Sequence, residues 1–346
     1  MNWKNSSNKV GVIGAGAFGT AIANLLAHNT EVLLYTRDPE KAEQMQETGI
    51  FVGQQLAPNI AVTNALEDVA ARCKTIFLLI PSHGLEELLS QLSPILNVDH
   101  MLIHGIKGLY IIPSPDAHPH TDHLQLTRKE VYTMSERMLQ HTNIKQVGYI
   151  GGPNLAGELA QGLLAGIVVA STSSGVRETG KQLLASPQLT VDTHPDILGI
   201  ELCGVLKNIL AIGTGYLAGL GQGENARALL MSKGLIDMMQ IGVAMGAHKQ
   251  TFLTIAGVGD LIATCNSNLS RNYSIGYQLA QGQSLEEIQV KGQLMAEGVK
   301  TVMIIYSLAR AYAMHLPVVE MVYKLLFESI SAEEGIQQLM RLKSDT

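Results

Sequence analysis

The apolar positions change their rhythm partway along the chain. Up to about residue 194, short apolar runs alternate with amphipathic stretches. The runs 10–13, 31–35, 75–80, 101–104, 147–151, 166–171 and 189–193 predict strands. The stretches 20–28, 39–47, 65–72, 84–96 and 129–141 predict helices between them. Strands alternating with helices predict an α/β fold with a parallel, doubly wound sheet, whose ligands bind at the carboxyl ends of the strands. After Asp196 few β-branched runs remain. Long helical patterns take over at 197–212, 226–246, 274–281 and 299–313. The expected boundary falls at 190–198, dividing the chain into 1–194 and an all-α 195–346.

The order of elements gives the first glycine cluster its meaning. Gly14-Ala15-Gly16-Ala17-Phe18-Gly19 follows the first predicted strand and opens the first predicted helix. In that context the spacing is a dinucleotide fingerprint, and residues 1–194 read as a Rossmann-type domain. Gly14 permits the tight turn, Gly16 lets backbone approach a pyrophosphate, and Gly19 lets the helix pack closely. The helix N-terminus adds free N–H groups and partial positive charge. An NAD-specific site carries Asp or Glu about 20 residues further on. Here the second strand ends Tyr35-Thr36-Arg37. The Arg37 guanidinium suits a 2′-phosphate and can stack on adenine, which predicts that NADP(H) is preferred or accepted and NAD(H) possible. Asp38-Pro39-Glu40 reads as a helix N-cap with Pro at N1, the other reading being a carboxylate on the ribose.

Composition narrows the partners. The 346 residues are 46% hydrophobic and 16% charged, with net charge −6, which argues against a nucleic-acid or anionic-membrane surface. Three scattered cysteines, Cys73, Cys203 and Cys265, fit a reducing compartment and cytoplasmic residence. The polar first nine residues lack the apolar core of a signal peptide. The apolar stretch 202–221 invites a membrane reading. It contains Lys207 and Asn208, which would cost several kcal/mol in a span, so a buried core helix is expected and integral membrane association is not. Residues 111–126 carry three prolines with His118, His120 and His123. Imidazoles there could bind zinc, but prolines without periodicity read as a surface loop, and no metal is expected.

Several polar residues sit where chemistry could use them. Lys207 lies mid-helix among Val205, Leu206, Ile209 and Leu210, where desolvation would lower its pKa and suit it to proton transfer. The plainer reading is a lysine snorkelling from a core helix. Asp260, after Gly257-Val258-Gly259, looks like a helix N-cap, or else a carboxylate that orients Lys207. Ser270-Arg271-Asn272 groups a guanidinium with two polar neighbours, which suits phosphate. Lys107 and Gly152-Pro153-Asn154 follow sheet strands, and small residues there let a ligand approach backbone.

Taken in order and spacing, Gly14–Thr20, Ile106-Lys107-Gly108, Gly152–Ala156, Leu206-Lys207-Asn208, Gly257–Leu261, Ser270-Arg271-Asn272 and Ala296-Glu297-Gly298 resemble the bacterial-type NAD(P)-dependent glycerol-3-phosphate dehydrogenase family over nearly the whole length. The resemblance implies reduction of dihydroxyacetone phosphate to sn-glycerol 3-phosphate, which feeds phospholipid synthesis. It implies Lys207 as catalytic acid/base with Asp260 as its partner. Lys107, Gly152, Asn154, Ser270, Arg271 and Asn272 would contact the small phosphorylated substrate. Gly14, Gly16, Ala17, Phe18, Gly19, Arg37, Lys107, Ala156, Arg271, Met295 and Glu297 would line the cofactor. Phe18 stands where relatives often have Trp, Asn154 where Ser or Ala is usual, and the loop after Leu109 is longer. A homodimer is expected. A related reductase for ketopantoate or a hydroxy acid is the competing enzyme, and a non-catalytic dinucleotide sensor the competing binding module.

Overall fold

The computed structural model describes residues 9–112, 126–290, 297–328, 330, 334, 335 and 337. Two compact units emerge, and no single cut separates them. Residues 1–107 and 134–197 make the first, 108–133 and 198–346 the second.

The first unit begins with β1 (Lys9–Ile13), α1 (Ala17–Leu26), β2 (Glu31–Tyr35) and α2 (Pro39–Thr48). A small hairpin, β3 (Ile50–Phe51) and β4 (Gln54–Gln55), precedes β5 (Ile60–Thr63), α3 (Leu66–Arg72), β6 (Cys73–Leu78), α4 (Leu85–Leu92) and β7 (Met101–His104). The hairpin β8 (Leu109–Ile111) and β9 (Val131–Thr133) belongs to the second unit. The chain then returns through α5 (Met134–His141), β10 (Gln146–Gly151), α6 (Ala156–Ala160), β11 (Ala165–Ala170), α7 (Ser174–Leu184) and β12 (Leu189–His194).

Eight strands form one sheet in the order β12-β11-β10-β7-β6-β1-β2-β5. From β1 the chain winds outward to β2 and β5, then crosses back to β6, β7 and β10. This doubly wound order opens a ligand crevice at the carboxyl ends of β1 and β6, where the winding reverses. β1 is buried along its whole length, as a central parallel strand must be.

Three local expectations differ from the structure. β5 was not among the predicted strands: four residues, mostly half-buried at a sheet edge, give little periodicity. β11 runs antiparallel to β10, with Tyr149 opposite Ala170. Only the five-residue α6 lies between these strands, so the chain doubles back where a parallel crossover would need a longer helix. The helix expected over 129–141 begins at Met134, because Val131–Thr133 pairs with Leu109–Ile111 instead.

The second unit is helical: α8 (Ile197–Gly219), α9 (Glu224–Met245), α10 (Asp260–Cys265), α11 (Arg271–Ala280), α12 (Leu285–Val290), α13 (Glu297–Ala311) and α14 (Pro317–Phe327). α8 and α9 are long and apolar enough to cross a membrane by length and composition. α8 uses that apolarity as the core of this unit, with every residue from Gly199 to Leu217 buried. α11 lies directly on it. A Cβ at Gly276 would stand 1.9 Å from the Ile212 carbonyl oxygen, and one at Gly215 would stand 2.0 Å from that of Tyr273. These glycines let the two backbones touch, which fixes where α11 starts relative to Lys207 on α8.

Candidate active site

The glycine turn after β1 uses its three glycines differently. Gly14 has φ +118°, and a Cβ there would meet the Leu79 carbonyl at 2.4 Å. A Cβ at Gly19 would fall 1.7 Å from the Gly14 carbonyl. Both glycines are demanded by the fold. A Cβ at Gly16 would meet nothing within 4 Å, so packing does not require glycine there. Close approach of a ligand does, and Gly16 is also the N-cap of α1, with no side chain covering its N–H groups. The residues therefore fit a pyrophosphate at this turn.

Around it, Ala17 is exposed and Phe18 half-buried. Phe18 packs over Gly105, where a Cβ would stand 3.1 Å from its ring. Arg37 is exposed after β2 and, among the described residues, makes no hydrogen bond or ion pair. Asp38 takes the capping role: its Oδ1 accepts from the N–H groups of Glu40 and Lys41 at 3.1 and 3.3 Å, with Pro39 at N1. The Lys41 ammonium holds its carboxyl below the usual range.

Further along the unit, Lys107 is half-buried beyond β7, and Ala156 opens α6. Gly152 has φ +130°, with its Cβ position 2.6 Å from the Gly166 carbonyl, so the turn from β10 to β11 requires glycine there. Asn154 is buried, and its Nδ2 has no hydrogen-bond partner.

In the helical unit, Lys207 and Asp260 meet as a buried ion pair, with 3% and 2% side-chain exposure. Lys207 Nζ also donates to Thr264 Oγ1 at 2.7 Å, and Thr264 Oγ1 donates to Asp260 Oδ1 at 3.3 Å. Of the two readings of Asp260, the geometry selects the orienting carboxylate. It is the first residue of α10, whose N-cap is Gly259. A π-turn over Ile255–Gly259 leads into it, and a Cβ at Gly257 would stand 2.1 Å from the Phe252 carbonyl. Lys207 does not snorkel. Its nitrogen is buried against the Asp260 carboxylate and the Thr264 hydroxyl.

Thr264 received no role from sequence. The available signal was its spacing: four residues after Asp260 on a helix places both side chains on one face. Asp260 Oδ2 is buried without a hydrogen-bond partner, an acceptor suited to a ligand hydroxyl.

Ser270 caps α11 by accepting from Tyr273 N–H at 3.3 Å. Arg271 follows, exposed, and Asn272 is buried with Oδ1 unpartnered and pressed by Gly298 of α13, whose Cβ position lies 2.4 Å away. Glu297 opens α13. Met295, His118, His120 and His123 lie outside the described residues; among those described, no group of three or more His, Cys, Asp or Glu could hold a metal. All three cysteines are free and buried, and burial pushes the Cys73 and Cys265 thiols up to about 11 and about 12.

A doubly wound sheet with a pyrophosphate turn, joined to a helical unit that buries a lysine–carboxylate pair, is the architecture of two-domain, nicotinamide-dependent oxidoreductases. Residues 9–176 match the profile of the NAD-dependent glycerol-3-phosphate dehydrogenase N-terminus, and 196–337 that of the C-terminus. The chain belongs to the NAD(P)-dependent glycerol-3-phosphate dehydrogenase family. It is 35% identical to the glycerol-3-phosphate dehydrogenase [NAD(P)+] of Geobacter sulfurreducens, covering 96% of this chain and 97% of that one. The Alcanivorax borkumensis enzyme of the same name is 36% identical over 95% and 92%. The crystal structure of glycerol-3-phosphate dehydrogenase from Coxiella burnetii superposes with a TM-score of 0.83 at 27% identity, covering 97% and 99%.

Proposed function

We propose that this enzyme reduces dihydroxyacetone phosphate to sn-glycerol 3-phosphate, reversibly. The observation that carries the reading is the buried Lys207–Asp260–Thr264 cluster in a chain of this family. NAD(P)H, when bound, would supply the hydride. Lys207, paired with Asp260 and Thr264, polarises the substrate carbonyl as its ammonium form and gives its proton to the carbonyl oxygen. In the oxidative direction the same nitrogen takes the proton back. Thr264 and Asp260 fix the aim of Nζ, and Asp260 Oδ2 accepts from a substrate hydroxyl. Arg271 and Asn272, at the start of α11, hold the phosphate. Lys107, Gly152, Asn154 and Ser270 complete the substrate contacts. On the family resemblance, the Gly14–Gly19 turn, Arg37, Lys107 and Ala156 would hold the cofactor, as would Arg271, Met295 and Glu297, with Arg37 favouring NADPH. Residence in the cytoplasm, a homodimer and a place upstream of phospholipid synthesis extend the reading.

Steady-state kinetics with dihydroxyacetone phosphate, comparing NADPH with NADH, tests it. Lys207→Ala should lower kcat by about 10²–10⁴-fold, the worth of a positioned proton donor, while dinucleotide binding persists. Retention of more than about a tenth of the activity overturns the assignment.

A further inference from the structure

We propose that His104 is a positioning residue, clasping Ser135 and the Ile106 N–H so that Lys107 is held in its working place past the end of β7. This rests on the reading of Lys107 as a ligand contact. His104 closes β7, flanked by Leu78 of β6 and Tyr149 of β10. Its ring is fully buried and packs edge-on against Tyr149 at 5.1 Å.

The ring's two nitrogens have opposite jobs. Ile106 N–H donates to Nδ1 at 3.3 Å. Nδ1 is therefore the acceptor, and Nε2 carries the proton that it donates to Ser135 Oγ at 2.7 Å. Burial pushes the His104 pKa down to about 3, so the ring stays neutral and keeps one donor and one acceptor. The last sheet hydrogen bond on this strand is Gly105 N–H to the Leu78 carbonyl, 3.1 Å. One residue later the Ile106 bond tethers the chain to the ring, and Lys107 comes next.

The clasp also has a topological logic. The chain leaves the sheet unit after Lys107 and re-enters it at Met134. His104 and Ser135 lie just inside those two crossing points. The ring thus ties the departing strand to the first turn of α5, joining the two places where the chain leaves and re-enters the sheet unit. Gly105 adds to the constraint, since a Cβ there would press on the Leu79 and Phe18 side chains at 3.0 and 3.1 Å.

The test uses the full chain and four variants. Asn at 104 can place Oδ1 where Nδ1 stands, preserving the Ile106 bond. His104→Leu removes both bonds, and Ser135→Ala frees Nε2. Lys107→Ala is the reference. His104→Leu should raise KM for dihydroxyacetone phosphate about five- to tenfold, the scale of one lost hydrogen bond, with kcat little changed. His104→Asn should restore KM. In a Lys107→Ala background, His104→Leu should add nothing, as coupled sites require. A lowered melting temperature with unchanged KM, or effects that multiply in full, overturns the clasp while leaving Lys107's role intact. A Lys107→Ala variant with wild-type constants overturns the Lys107 reading and the clasp with it. If His104→Leu does not fold, Ser135→Ala with Lys107→Ala makes the same comparison, non-additivity supporting the clasp and additivity overturning it.

Discussion

At the scale of single residues, the glycine turn separates folding from binding. Gly16→Ala places its methyl in open space with an extended backbone. It should melt like the wild type yet raise KM for NADPH at least about tenfold, because the methyl stands where the pyrophosphate must approach. Gly19→Ala puts a methyl on the Gly14 carbonyl and should fail first in stability, seen as loss of the cooperative melt. Arg37 tests the cofactor choice. Arg37→Ala should raise KM for NADPH and leave that for NADH nearly unchanged, and equal changes for both cofactors would remove the 2′-phosphate role. The glycines, Arg37 and Lys207 were legible as candidates in sequence, because each breaks a local rule: glycines before a helix, a base where an acid is usual, a charge in an apolar helix. Thr264 was not, since a threonine beside an apolar run looks ordinary until Asp260 is known to face it.

At the scale of elements, α8 and α11 set the distance between the proton donor and the phosphate-suited helix start. Their contact is backbone on backbone at Gly276 and Gly215. Gly276→Ala should cost about 1–3 kcal/mol or more by overpacking, read by chemical denaturation, and should raise KM for the phosphorylated substrate as the α11 N-terminus shifts. The sequence places Gly215 in the apolar stretch 202–221 and Gly276 in the predicted helix 274–281, with nothing to link the two. Their purpose depends on which helix crosses there. The same holds for β5 and β11: a short edge strand carries little pattern, and direction within a sheet is decided by the connection, which here is too short to cross over.

At the scale of the whole molecule, the two units should respond to pH in opposite directions. His104, in the sheet unit, has its pKa pushed down to about 3 by burial, from an ordinary value of 6.5. Between those values the unfolded chain binds the proton and the folded one does not, so stability falls as pH drops from about 6.5 toward 3. Asp237, in the helical unit, accepts the N–H groups of Val318 and Val319 at 2.8 and 3.1 Å and caps α14 from a buried position. Burial, the larger effect, raises its pKa from 3.8 to about 7. There the folded state binds the proton more tightly, so its contribution is full below about 4 and is lost as pH rises through about 7. Calorimetry at pH 5 against pH 7.5 should show the sheet unit weakened and the helical unit strengthened at the lower pH. Asp237→Asn should flatten the helical unit's response over that window; an unchanged slope would remove Asp237 as its source.

The sequence by itself determined the α/β-then-helical order, the dinucleotide turn and the residues with chemistry to offer, because periodicity, turn chemistry and charge in apolar surroundings are local signals. Tertiary structure alone decided which of two readings each residue takes. Asp260 pairs with Lys207 and Asp38 caps a helix, although both are acids at helix starts. Gly16 is open while Gly14, Gly19 and Gly152 are filled by neighbouring carbonyls. The segment 108–133 joins the helical unit although it is flanked by sheet. The Lys207–Asp260 pair, the Leu79 carbonyl that fills the Gly14 position and the unit that 108–133 joins all depend on atoms far away in the chain, and a linear pattern carries no distance between such atoms.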